Sequence, residues 1–166
     1  MGLLTNPRQT VIVTCRARGA RVMGVETEKD NAITIDWHMP VSFSPQLYAI
    51  AVGKSRFSYR IITESKAFIV NFIPKTMEKE AVFCGRRSGE HRDKLKEAGI
   101  RTHEADNIDC PRIVGAVGYL ECEVVQEVEA GDHVIFIGKV VHAELMKEQK
   151  RLFHVDGDEF TTTVKG

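Results

Sequence analysis

Three stretches of this 166-residue chain are apolar on both faces when read as extended backbone: LYAIAVG (47–53), AFIVNFI (67–73) and HVIFIG (133–138). Each has the length of a strand rather than of a helix, and a strand without a polar face must be covered on both sides. A one-sided surface sheet is therefore excluded, which leaves a closed barrel or a sheet covered by helices. The remaining elements decide between these. TVIVTC (10–15) is rich in β-branched residues and starts just after Pro7, so it predicts a further strand. Residues 19–37 predict a turn at Gly19-Ala20, a second strand and a polar loop ending at Asp30-Asn31-Ala32. AITIDW and PVSFSP follow as short extended pieces punctuated by Pro40 and Pro45. Near the end, Leu120, Cys122 and Val124 alternate with Glu121 and Glu123. That half-exposed strand turns at Gly131, where positive φ suits glycine, and returns as residues 133–145 in a long hairpin. Helices are expected only over 55–65, with Phe57 and Ile61 four apart; over 76–85, acidic at its start and ended by a glycine; and over 92–99, closed by Gly99. Many curling strands and few helices predict a mainly β, Greek-key type small barrel forming one domain over 1–166.

Charge narrows the partners. The 23 basic and 23 acidic residues balance and no basic block stands alone, so binding of nucleic acid or an anionic membrane by bulk charge is not expected. No run reaches the length of a membrane span. MGLLTNPRQT carries no signal-peptide pattern, and Asn6 breaks the myristoylation pattern, so a cytoplasmic protein is expected. Cys15, Cys84, Cys110 and Cys122 are scattered without a CxxC, which argues for reduced thiols and against a zinc site; no metal is expected.

No GxSxG, HExxH or GxGxxG occurs, so the chemistry-bearing candidates are polar loops at strand ends. NAITIDWHMPVSFSPQ (31–46) places Thr34, Asp36 and Trp37 where an irregular strand end leaves backbone groups free for a flat polar ligand. On composition alone a core tryptophan beside a proline-rich turn is the favoured explanation. GKSRFSYR (53–60) puts Lys54, Ser55, Arg56 and Ser58 at a helix start, either a phosphate seat or ordinary serine capping. FCGRRSGEHRDK (83–94) concentrates Arg86, Arg87, His91, Arg92 and Lys94 in one loop, suited to phosphates or simply solvated. His133 stands where an apolar strand leaves its turn.

In their order these stretches resemble the flavin reductase-like family, the flavoredoxin branch of the FMN-binding split β-barrel proteins. The resemblance rests on N-A-x-T-x-x-W followed by P-V-S-x-x-P, on S-G-x-x-x-x-K at Ser88, Gly89 and Lys94, and on G-D-H-x-x-F-x-G-x-V at 131–140. It implies a homodimer with FMN, or alternatively FAD, in a strand-end groove near the dimer interface. Asn31, Ala32, Thr34, Ile35, Asp36 and Trp37 would lie along the flavin ring through main-chain atoms and the Thr34 hydroxyl. Lys54, Ser55, Arg56, Ser58 and Tyr59 would hold the phosphate. Cys84, Arg87, Ser88, Gly89 and Lys94 would approach from the second loop, with Cys84 as a small buried residue rather than a redox group. His133 would be the catalytic candidate, orienting the nicotinamide of NADH or NADPH or stabilising charge on the reduced flavin, while hydride passes between the cofactors.

Two residues depart from the family pattern. Asp36 places a carboxylate beside the ring segment, and like charge would disfavour an anionic reduced flavin if it pointed inward. Tyr59 replaces a common threonine, which removes one phosphate contact. The leading expectation is an FMN-dependent oxidoreductase acting as a flavin reductase, or passing electrons to a redox protein or a ferric complex. A flavin-binding electron carrier or storage module is the alternative. A haem or pyridoxal-type ligand on the same barrel is a third reading; a haem would need His38, His133 or His142 as an axial ligand.

Overall fold

The computed structural model describes residues 2–22 and 25–163. A short helix α1 (Gly2–Thr5) and strand β1 (Arg8–Gln9) lead into β2 (Val11–Val22), β3 (Val25–Ile35), β4 (His38–Phe43) and β5 (Gln46–Gly53). Helix α2 (Phe57–Ser65) and β6 (Ala67–Phe72) follow. A 3-10 turn then enters α3 (Glu78–Arg86), with α4 (Lys94–Glu97), β7 (Thr102–Glu104) and β8 (Pro111–Ile113) behind it. The long hairpin is β9 (Gly118–Ala130) and β10 (His133–Leu145), and β11 (Leu152–Asp156) and β12 (Glu159–Thr162) close the chain.

Seven strands form one antiparallel sheet in the order β3-β2-β6-β9-β10-β5-β4. Its two edge strands, β3 and β4, are separated in sequence only by Asp36 and Trp37. The Ala51 N–H of β5 donates to the Trp37 carbonyl at 2.9 Å, so one continuous run of chain carries the sheet from its first edge to its last. The sheet thereby curls into the expected barrel, split at Asp36–Trp37. Its interior holds Val11, Val13 and Cys15 of β2, Ile33 and Ile35 of β3, Ile50 and Val52 of β5, Phe68 and Val70 of β6, and Val134 and Phe136 of β10, with Ile61 and Ile62 of α2. On the outer face of β2 and β3, Ile12 and Ala32 pack against Ala81, Cys84, Leu95 and Leu152.

Several boundaries differ from the sequence expectation. The Gly19-Ala20 turn is instead an irregularity inside β2, which runs on to Val22 with a register shift between Ala17 and Ala20. The polar loop is the first half of β3, because Lys29 and Asp30 find cross-strand partners in Ala17 and Arg16. Gly85 does not end its helix but lies inside α3. A Cβ there would sit 3.3 Å from Thr34 Cβ, so glycine lets the helix approach β3 closely. The third helix shrinks to Lys94–Glu97, capped by Asp93, whose carboxylate accepts from the Lys96 N–H at 3.0 Å. Double coverage holds for β6, where Phe68, Ile69 and Val70 have no exposure. It fails on β10, where Ile135 and Ile137 are only half-buried.

Candidate functional site

Strand β5 ends at Gly53, and the chain turns into α2 with the Arg56 N–H donating to the Gly53 carbonyl at 2.9 Å. Arg56 is the N-cap, extended at φ −81° and ψ 140°, with no side-chain cap and no acidic residue in the first turn. Serine capping is therefore not what happens here. A guanidinium cannot accept a hydrogen bond, so although the Tyr59 N–H donates to the Arg56 carbonyl at 3.1 Å, no side chain caps the start of the helix and its positive end is open to an outside acceptor. Second in the helix, Ser58 is buried and its Oγ accepts from Asn31 Nδ2 of β3 at 2.7 Å. The oxygen of that amide, Asn31 Oδ1, is buried without a hydrogen-bond partner among the described residues.

The opposite wall comes from the end of α3. Lys94 Nζ donates to the carbonyls of Cys84 and Arg87, both at 2.8 Å, and so satisfies orphan acceptors of the last helical turn. Burial pushes its amine below the ordinary lysine range, against the pull of the Cys84 and Cys15 thiols. Ser88 and Gly89 then pass over Asn31. A Cβ on Gly89 would lie 2.9 Å from Asn31 Cγ and overlap Oδ1, so only glycine admits this approach. Between the walls is a cavity of about 70 Å³ lined by Asn31, Ile33, Ser55, Arg56, Phe57, Ser58, Cys84, Gly85, Arg87, Ser88, Gly89 and Lys94. It has the size of a handful of waters, or of one phosphate group. Three cations, three hydroxyls and a helix N-terminus line it and, among the described residues, no carboxylate does, a donor set suited to an anion. Its thiols are inert: burial pushes Cys84 up to about 11 and, beneath the floor, Cys15 up to about 12.

A second group adjoins this cavity. The His133 ring lies 4.8 Å from that of Trp37, tilted by 36°, and its Nδ1 lies 2.7 Å from Asp132 Oδ1. Arg8 stands 6.0 Å from the Trp37 ring centroid. A Cβ on Gly53 would be 3.6 Å from both His133 Nε2 and Arg56 Cγ, so His133 and the anion seat flank the same glycine. Trp37 is 43% exposed and presents an aromatic surface beside the seat.

Nine of the residues singled out in the sequence thus meet: Asn31, Ser55, Arg56, Ser58, Cys84, Arg87, Ser88, Gly89 and Lys94. Others turn elsewhere. Lys54 Nζ pairs with Glu129 at 3.1 Å. Tyr59 packs on the barrel interior, 6.1 Å from the Phe136 ring, because α2 presents that face to the core. Ala32 is buried beneath α3 and Ile35 inside the barrel. The Thr34 hydroxyl donates to the Ala81 carbonyl at 2.5 Å. Asp36 accepts from the Thr10 hydroxyl at 2.7 Å and lies 2.9 Å from His154 Nδ1, so its charge is directed away from the seat. Ile33, Phe57 and Gly85 line the cavity without having been anticipated; the glycine next to last in α3, facing Thr34 of β3, was the one signal available for them. His38 is held between the Tyr48 hydroxyl at 2.7 Å and the Gln9 carbonyl at 2.8 Å, which occupies both nitrogens and leaves none for a haem. Asp106, Glu121 and His142 bring ligand atoms within 4.8 Å of one another, but Arg112 lies 2.8 Å from Asp106 and 3.9 Å from Glu121 and supplies the cation itself. A wider groove of about 630 Å³ between β2, the end of α2 and β9 is lined by both signs of charge, with Asp109 paired to Arg16 and Arg18.

The family model for the flavin reductase like domain matches residues 3–163. The chain is 31% identical over 133 residues to an NADH-dependent FAD reductase of Streptomyces globisporus, covering 75% of this chain and 68% of that protein. In structure it is similar to the flavoredoxin of Desulfovibrio vulgaris (Miyazaki F), with a TM-score of 0.84 and 19% identity over 98% of this chain and 90% of that one. It is also similar to the NADH:FAD oxidoreductase of Streptomyces globisporus C-1027 in complex with NAD and FAD fragments. There the TM-score is 0.80 and the identity 26%, over 96% of this chain and 87% of that one.

Proposed function

The chain belongs to the flavin reductase like domain family, and from that premise we propose that it is an oxidoreductase that binds FMN by its phosphate at the N-terminus of α2 and accepts a hydride from NADH or NADPH. The observation that carries this is the convergence of an uncapped helix start with Arg56, Arg87, Lys94, Ser55, Ser58 and Ser88 in a cavity of phosphate size that no carboxylate lines. The residues fit the group in a second respect. Asn31 Oδ1, buried and unpartnered at the cavity wall, is the acceptor a ribityl hydroxyl needs. Bound flavin supplies a two-electron acceptor, and the protein's part is placement. The helix start and cations fix the phosphate, while Trp37 and His133 offer a flat aromatic flank at the mouth. Asp36, engaged by Thr10 and His154, brings no like charge against a reduced ring.

The second partner is another copy of the chain. Met39, Ala49 and Ile137 stand in register across β4, β5 and β10, and Ala51, Ile135 and Val128 stand in register across β5, β10 and β9. Together they make an apolar outer face beside Trp37, in which Met39 is 57% exposed. An apolar face of that kind is characteristic of an interface. Light scattering should give twice the chain mass, and a monomer at micromolar concentration would remove this part of the reading.

The deciding experiment is an anaerobic titration with FMN, FAD and riboflavin, followed by NADH and then NADPH while the visible flavin band is recorded. FMN should bind at least about tenfold tighter than riboflavin, since each charge-assisted hydrogen bond to phosphate contributes about 1.5–3 kcal/mol. The band should bleach with one nicotinamide. Equal affinity for FMN and riboflavin would dismiss the phosphate seat. Bleaching only by a chemical reductant would make the protein an electron carrier.

A further inference from the structure

We propose that Glu90, together with the two cations it joins, Lys29 and Arg60, closes the phosphate seat behind a single phosphate and so selects flavin mononucleotide over the dinucleotide FAD. The inference rests on the phosphate seat proposed above. A phosphate monoester ends in the seat, whereas FAD would place a diester there and needs a way out for its second phosphate and adenosine. The cavity, at about 70 Å³, has room for one phosphate group.

The wall between α2 and the 87–92 loop is stapled shut. Phe57, the first residue of α2, and Gly89 both line the cavity. Lys29 Nζ of β3 lies 5.3 Å from the Phe57 ring centroid and donates to the Glu90 carbonyl at 2.7 Å. The Arg60 guanidinium, three residues further along α2, lies 5.2 Å from the same ring and donates to the Glu90 carboxylate. A strand, a helix and a loop thus meet around one aromatic ring, through cation–π contacts and with Glu90 as the piece they share. The Glu90 N–H donates to Ser88 Oγ at 3.3 Å, which tightens the loop and leaves the Ser88 hydroxyl proton for the phosphate.

The position of this group matters more than its strength. The Arg60–Glu90 pair is exposed, and an exposed pair contributes little to stability. It nevertheless sets a carboxylate directly after Gly89, beside a cavity lined by cations. The bond from Arg60 holds the Glu90 carboxyl below the ordinary carboxylate range, so its charge is present at neutral pH. A second phosphate passing this wall would meet that like charge and would find Lys29 and Arg60 already engaged. A terminal phosphate stops short of it, among Arg56, Arg87 and Lys94. The dinucleotide is penalised and the mononucleotide is not, which is discrimination by a repulsive element rather than by an added contact.

The test is a set of calorimetric titrations of the ligand-free protein with FMN, FAD and riboflavin. Wild type should bind FMN at least about tenfold tighter than FAD. Glu90→Ala removes the carboxylate and releases Arg60 to a second phosphate, while Lys29 keeps its backbone acceptor. In this variant FAD affinity should rise about tenfold, with FMN affinity within a factor of about two of wild type. Glu90→Gln keeps the side-chain length and an acceptor for Arg60, so it should raise FAD affinity by less than Glu90→Ala does. FAD bound as tightly as FMN by wild type, or a ratio of the two affinities unchanged in Glu90→Ala, overturns the selection while the seat stands on weaker binding of riboflavin. Riboflavin bound as tightly as FMN overturns the seat itself.

Discussion

Gly89→Ala probes the anion seat at its tightest point. Gly89 is not among the positive-φ glycines of the described chain, so alanine meets no backbone strain there and the effect is steric. The new methyl would lie 2.9 Å from Asn31 Cγ, closer still to Oδ1, and 3.4 Å from Lys94 Cε. Asn31 is 1% exposed and tied to Ser58 at 2.7 Å, so it yields only by breaking that bond or by pushing the 87–89 loop outward. A lost buried hydrogen bond costs about 1 kcal/mol and overpacking about 1–3 kcal/mol, offset by about 0.4–1 kcal/mol from a stiffer unfolded chain. The net, about 1–3 kcal/mol, corresponds to a Tm lower by roughly 3–10 °C for a chain of this size. FMN affinity should fall as well, because the displaced amide or loop enters the phosphate space. Differential scanning calorimetry and quenching of flavin fluorescence read both effects. Gly85→Ala is the milder comparison: its methyl meets Thr34 Cβ at 3.3 Å in the last turn of α3, where part of alanine's helix propensity of about 1 kcal/mol offsets the crowding, so stability should fall less than in Gly89→Ala. A Gly89→Ala protein with wild-type Tm and flavin affinity would falsify the close approach of the loop to Asn31.

Three other perturbations separate site from scaffold. Arg56→Ala should weaken FMN binding about tenfold, whereas Lys54→Ala, whose ammonium serves Glu129, should leave it within a factor of two; equal losses would mean that the charge of the segment matters and its geometry does not. Arg16 is 7% exposed and bonds Asp30 at 2.6 Å, Glu104 at 2.7 Å and Asp109 at 3.0 Å, so Arg16→Met should cost about 1.5–3 kcal/mol in urea unfolding, and a cost near zero would show these carboxylates to be adequately hydrated without it. Burial lowers the His38 pKa, so the unfolded chain takes up the proton first. The stability His38 contributes is complete above the unfolded value of about 6.5 and is lost as pH falls through it toward the folded one. Tm should therefore drop on acidification across this range, less steeply in His38→Phe, and an identical pH slope in the two proteins would acquit His38.

Local chemistry alone determined most of the strands and the hairpin turn at Gly131, but not residues 19–30, where β2 and β3 replace the expected turn and loop. β-branched runs favour extended backbone, Gly131 permits the hairpin turn, and unbroken apolar runs such as 67–73 demand cover on both faces. Each of these effects acts between residues a few positions apart, so each is legible in sequence. The family signatures at 31–37, 88–94 and 131–140 added which loops belong to one site. Only the tertiary structure decided how those loops face one another. Asn31, Arg56 and Gly89 lie far apart in the chain, and they meet because β3 pairs with β2 in one register and α3 packs across it. The same long-range packing turned Thr34 toward Ala81, Asp36 toward Thr10 and His154, Lys54 toward Glu129 and Tyr59 into the barrel. It also placed Gly85 inside a helix that a local reading would have ended there. A side chain's direction depends on which distant group can satisfy its hydrogen bond or cover its apolar surface, and that group is specified by sheet register and barrel closure, which no short stretch of sequence contains.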